Sequence, residues 1–117
     1  MRFIPTRLHG ILDYLVGLIA IAMAIAVPLQ GAAFITLICL GLFAVFYSLF
    51  TDYELGVIRF LRVRFHLTLD VLFGVVMLVA PSIVDFPPAI HWVVHTIGGL
   101  AVVLAFITQI RATGTAS

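Results

Sequence analysis

Four side chains with acid–base or ligand chemistry stand in two matching sets. His9 and Asp13 are followed by Gly17 in "RLHGILDYLVG", and His66 and Asp70 by Gly74 in "RFHLTLDVLFG". A spacing of four places each set on one helix face. Three chemistries are open to such a set. Each His can donate to the carboxylate one turn away, so that two polar faces fasten helices together inside a membrane. A chain of His and Asp can also pass protons: imidazole changes charge near neutrality, and neighbouring carboxylates resist ionising together. Finally, His9, His66, Asp13 and Asp70 can ligate a divalent metal, or the two imidazoles a haem. The spacing alone does not choose a cofactor. The structural reading is the one the sequence favours, with a proton or ion pathway and then a metal or haem site as the alternatives.

A third pair, His91 and His95, shares a face further along the chain. It would approach the first cluster from the opposite membrane side, as an outer relay or as ligands. The plainer expectation is an interfacial His91 beside Trp92, and a buried His95 bonded to a backbone carbonyl or to Thr36. Gly41 and Gly98, with Gly17 and Gly74, are the expected sites of close helix approach.

These residues sit in a chain built for lipid. Of 117 residues, 64% are hydrophobic and only 9% are charged, whereas a soluble domain carries about a quarter charged residues. Four apolar segments, from Leu8 to Val27, Ala32 to Phe50, Val63 to Ile83 and Ala89 to Ile110, are each about 20 residues long, enough to span the hydrocarbon core as helices. Asp13 and Asp70 fall inside such segments. A charge there costs about 2.5 kcal/mol or more, so both must face the bundle interior, a partner or water. The short breaks "VPLQG" and "PSIVDFPPA" join neighbouring helices into hairpins. The middle break, "TDYELGVIRFLRVR", reads as a loop whose Asp52 and Glu54 pair with nearby Arg residues. The first segment resembles a secretion signal, but an intramembrane Asp and the recurrence of its opening lead to the expectation that it is retained.

All six Arg (Arg2, Arg7, Arg59, Arg62, Arg64 and Arg111) fall before the first span, in the middle loop or after the fourth. The positive-inside rule then predicts termini and middle loop in the cytoplasm. Scattered Arg residues form no basic face, which excludes a nucleic-acid partner. Cys39 is single, with no zinc-type spacing, and reads as a small buried apolar residue. No nucleophile–base pair or phosphate loop is present, so no enzyme activity is expected.

The two sets are related by one offset. Fifty-seven positions separate Arg7 from Arg64, His9 from His66, Asp13 from Asp70, Gly17 from Gly74, Gly41 from Gly98 and Thr51 from Thr108. The chain thus reads as one domain, 1–117, made of two copies of a two-helix unit, residues 7–56 and 64–113. Both copies start on the same side, so the expected architecture is all-α: four transmembrane helices as two parallel-related hairpins.

The unit R-x-H-x-x-x-D-x-x-x-G, an apolar run and a Pro resembles the SPW repeat of small bacterial integral membrane proteins. "HGILDYLVG", "YSLFTDYELG" and "HLTLDVLFGVVMLVAPSIVDF" carry the likeness across nearly the whole chain. The eponymous Ser-Pro-Trp is replaced by "AVP" and "APS". The resemblance implies a multi-pass protein of the bacterial cytoplasmic membrane and no particular activity. The expected partners are the lipid bilayer and, through lipid-facing surfaces, a second copy or a membrane complex.

Overall fold

The computed structural model describes residues 1–111 and 113–117. It is all-helical: α1 (Thr6–Ala26), α2 (Gly31–Leu49), α3 (Val63–Ile83) and α4 (Pro88–Ile107). All four are long and apolar enough to cross a membrane. Uniformly apolar sequence extends the helices, and Pro and Gly punctuate them. Pro5 holds extended backbone just before α1. Pro88 takes the first position of α4, where a missing N–H costs nothing. Pro81 lies in the last turn of α3, two residues before it stops. Gly31 has φ of 60°, a left-handed conformation that lets the chain reverse between α1 and α2 in four residues.

Each hairpin is tight because its helices meet at glycines. A Cβ on Gly17 would stand 3.0 Å from the Gly41 carbonyl oxygen, and one on Gly41 2.8 Å from that of Gly17. In the second hairpin a Cβ on Gly74 would stand 2.6 Å from the Gly98 oxygen, and one on Gly98 2.8 Å from that of Gly74. Backbones this close gain dispersion contacts, the main attraction available between helices in lipid. Gly17 thus meets Gly41, and Gly74 meets Gly98, within each hairpin.

The hairpins meet across two layers. One is apolar, with Leu37, Met77 and Val94 fully enclosed beside Phe73 and Ile97. The other is polar, at the end that carries the termini and residues 50–62. Short parallel backbone pairings brace this end. Ile4 pairs with Thr108, and Thr51 with Leu61. Gln109 N donates to Ile4 O at 2.8 Å, and Asp52 N to Leu61 O at 2.7 Å. Outward faces carry exposed Leu15, Leu18, Ile35, Phe46, Leu72 and Phe106, as a lipid-facing surface requires. Cys39 lies on that exposed surface rather than in the core. In helices apolar all round, sequence alone does not tell the lipid face from the packed one.

Candidate functional site

α1 and α3 bring His9, Asp13, His66 and Asp70 together. One ligand atom from each lies within 4.8 Å of all the others. His9, His66 and Asp70 are buried, and the Asp13 side chain is 10% exposed. The bonding is crosswise. His9 Nε2 is 2.7 Å from Asp70 Oδ2 on α3 and 3.1 Å from Asp13 Oδ1 on its own helix. His66 Nε2 is 2.9 Å from Asp13 Oδ2 and 3.3 Å from Asp70 Oδ2. Each imidazole is nearer the other helix's carboxylate than the one a turn away. The local His–Asp pair expected from spacing is the weaker contact in both cases.

Two threonines orient the rings. Thr108 follows α4, and its hydroxyl donates to Leu104 O at 2.6 Å. Thr51 stands just beyond α2, and its hydroxyl donates to Tyr47 O at 2.6 Å. Each hydroxyl has a single proton, committed to a backbone carbonyl. The ring nitrogens facing them are therefore the donors: His9 Nδ1–H to Thr108 Oγ1 at 2.6 Å, and His66 Nδ1–H to Thr51 Oγ1 at 2.7 Å. With Nδ1 protonated, a neutral imidazole presents its lone pair at Nε2. Both lone pairs then face carboxylate oxygens, also acceptors. The cluster is stable only with protons or a cation between them.

Two tyrosines complete the carboxylate shell. Tyr47 donates to Asp70 Oδ1 at 2.5 Å, and Tyr53 to Asp13 Oδ2 at 2.8 Å. Tyr53 belongs to residues 50–62 and is 1% exposed. Burial, and then the negative Asp13 carboxylate beside it, push its phenol above the ordinary tyrosine range, so it stays a donor. Among the described residues one buried side-chain polar atom remains without a hydrogen bond. His66 Nε2 is fully buried and close to Asp13, yet aligned with neither carboxylate. Beside the cluster is a cavity of about 20 Å³ lined by His9, Asp13, Tyr47 and Asp70 and by apolar Val16, Phe73 and Leu100. It has room for about one water.

Sequence spacing found the four clustered side chains and missed the four residues that hold them. Thr51 and Thr108 were visible only as an offset pair. Tyr53 sits in "TDYELG", which reads as a solvated loop. There Asp52 does pair with Arg59, at 3.2 Å, while Glu54 accepts from Thr6 at 2.7 Å. His91 and His95 are not brought to the cluster. His91 Nε2 lies 2.9 Å from Phe86 O, and the two rings are 6.4 Å apart. His95 is exposed, not buried against Thr36. The apolar layer of Leu37, Phe73, Met77 and Ile97 lies between this pair and the cluster.

No family model, curated protein or solved structure matches the chain, so the site's chemistry rests on its own geometry.

Proposed function

We propose that the chain is a multi-pass protein of the bacterial cytoplasmic membrane whose His9, Asp13, His66 and Asp70 bind one divalent transition metal. The observation that carries this reading is the buried His66 Nε2, aimed into the cluster without a hydrogen bond. A buried acceptor lone pair left unpaired between two carboxylates is a place for a cation. One donor atom from each of the four lies within 4.8 Å of the others; a tetrahedral ion with bonds of about 2.1 Å has edges of about 3.4 Å, so binding would spread the His–Asp contacts, now 2.7 to 3.3 Å, by a few tenths of an ångström. Two carboxylates and one divalent ion also sum to zero charge, which a low-dielectric site demands.

The surroundings support the same reading. Thr51 and Thr108 fix the tautomer that frees Nε2, and Tyr47 and Tyr53 hold the carboxylates, as outer-shell partners of metal ligands do. Imidazole and carboxylate without thiolate suit zinc and neighbouring first-row ions. Haem does not fit, because the free space is water-sized and flanked by carboxylates.

The two-fold reading belongs to the same proposal. The His9–Thr108 and His66–Thr51 bonds, the Gly17–Gly41 and Gly74–Gly98 crossings, and the Ile4–Thr108 and Leu61–Thr51 pairings all recur at 57 residues. We read them as two parallel hairpin repeats of the SPW kind with the ligands on the pseudo-two-fold axis. The Arg distribution supports placing the ligand end toward the cytoplasm.

Crosswise bonding also favours a structural role for the metal-free cluster, in which protons on the Nε2 side clamp the hairpins. Elemental analysis separates the two. Protein purified with zinc supplied, then freed of loose metal, should hold about one ion per chain, and Asp13→Asn with Asp70→Asn should hold none. Metal-free wild type under the same conditions would leave only the clamp.

A further inference from the structure

We infer that the groove between α3 and α4 at the arginine end holds an anionic phospholipid, its acyl chain along Leu67, Val71, Leu72, Val75 and Phe106 and its phosphate at Arg2 and Arg64. This goes beyond the metal site and uses none of its ligands.

The first observation is a broken correspondence between the two hairpins. On α1, the face made by Thr6, Gly10 and Tyr14 is covered by the chain itself. A Cβ on Gly10 would meet Leu55 at 3.1 Å and Tyr53 at 3.2 Å. Tyr14 donates to Leu55 O at 2.7 Å, and Thr6 donates to Glu54. An apolar–acidic–apolar stretch, Tyr53-Glu54-Leu55, therefore lies along that face. Fifty-seven residues on, the sequence reads Ile110-Arg111-Ala112. Two bulky side chains have become smaller, and the acid has become a base. On α3 the matching Val63 and Leu67 are buried, Val63 N donating to Ala116 O at 2.7 Å, but beside them an open groove of about 570 Å³ runs along Thr68, Leu72, Val75 and Phe106.

The second observation is charge. The groove is lined by apolar side chains with Arg2, Arg64 and Thr68 at its polar end, and by no acidic residue among the described ones. Arg2 is fixed there, donating to Ala105 O at 2.8 Å and Thr108 O at 2.9 Å. A second recess of about 340 Å³ continues past Arg64 and Thr68 to Arg62, Phe65 and Ser117. The covered face thus takes an apolar chain bearing a negative group, and the open face offers cations for the same combination. In a bilayer the abundant molecule of that kind is an anionic phospholipid, and basic pockets at helix ends on the cytoplasmic side recognise such headgroups.

Native mass spectrometry of the full chain, released from nanodiscs of equal phosphatidylglycerol and phosphatidylcholine, tests this. One phosphatidylglycerol should be retained in preference to phosphatidylcholine. Arg64→Gln should weaken that retention about fivefold, the effect of one basic residue at a membrane surface. Val75→Trp, filling the groove, should lower retention of both lipids. Arg7→Gln, at the matching position on α1 outside the groove, should change nothing. Equal retention of the two lipids, equal effects of Arg64→Gln and Arg7→Gln, or a lipid-free dimer would each overturn the assignment. Metal content, measured on the same variants, should stay at the wild-type value, so the two proposals fail separately.

Discussion

At the residue scale, the tautomer of each histidine is set by a hydroxyl with nothing left to donate. Thr51 and Thr108 each spend their proton on a carbonyl four residues back. Replacing either by Val should free the ring and weaken metal binding by roughly ten- to a hundredfold, read by competition with a chromophoric chelator; Ser should restore it. Affinity unchanged in both Val variants would remove the threonines from the site. Tyr53 offers a pH test. Its folded-state pKa is raised, so the unfolded chain loses this proton first. The stability it contributes is present below about pH 10 and falls as pH rises beyond that. Tyr53→Phe should therefore show a shallower loss of thermal stability in that alkaline range than wild type. A parallel decline in the two proteins would contradict the assignment. The His and Asp were legible in sequence because charged residues are conspicuous in apolar runs. Their holders were not. Thr and Tyr are ordinary at helix ends, and nothing local says that Thr108 meets a residue near the other terminus.

At the element scale, the glycine crossings set how close the hairpin helices lie, and with them the position of α1 and α3. Gly98→Ala would place a Cβ 2.8 Å from the Gly74 oxygen and 3.0 Å from Leu78. Backbone cannot yield as a side-chain tip does, so the helices must part, at about 1–3 kcal/mol. Its neighbour is the control. A Cβ on Gly99 meets nothing within 4 Å, and Gly99→Ala should be neutral or stabilising by up to about 1 kcal/mol. Thermal unfolding in one detergent compares them, and equal losses would show that the crossing is not tight. Span lengths were legible because length and hydropathy suffice to mark a transmembrane helix, and α3 begins and ends where the apolar run does. Facing was not legible. Lipid and core are equally apolar, so exposed Cys39 and His95 carried no sign of their side.

At the scale of the whole molecule, the proposed metal ligands come from both hairpins, two from α1 and two from α3. An ion bound there ties the halves together and binds only the folded chain. At free zinc a hundredfold above its dissociation constant, stability should rise by about 2.7 kcal/mol, and a chelator should reverse it. The same bridging predicts that the rise vanishes in Asp70→Asn. Topology has its own test. All six Arg lie at the end with the termini and residues 50–62, so a C-terminal reporter should signal the cytoplasm; a reporter active only outside would invert the arrangement. The offset of 57 residues was legible along the whole chain, since it needs no gap. Its departures, such as Glu54 against Arg111, gain meaning only once the groove beside α3 is seen.

On the proposed reading, four named side chains converge on one ion. X-ray absorption at the zinc edge of the loaded protein tests it most directly. The spectrum should show four nitrogen and oxygen neighbours at about 2.0–2.1 Å, with the outer-shell scattering of two imidazoles, and His66→Ala should lose that pattern. A six-oxygen shell, a sulfur neighbour, or a wild-type spectrum identical to that of His66→Ala would contradict it.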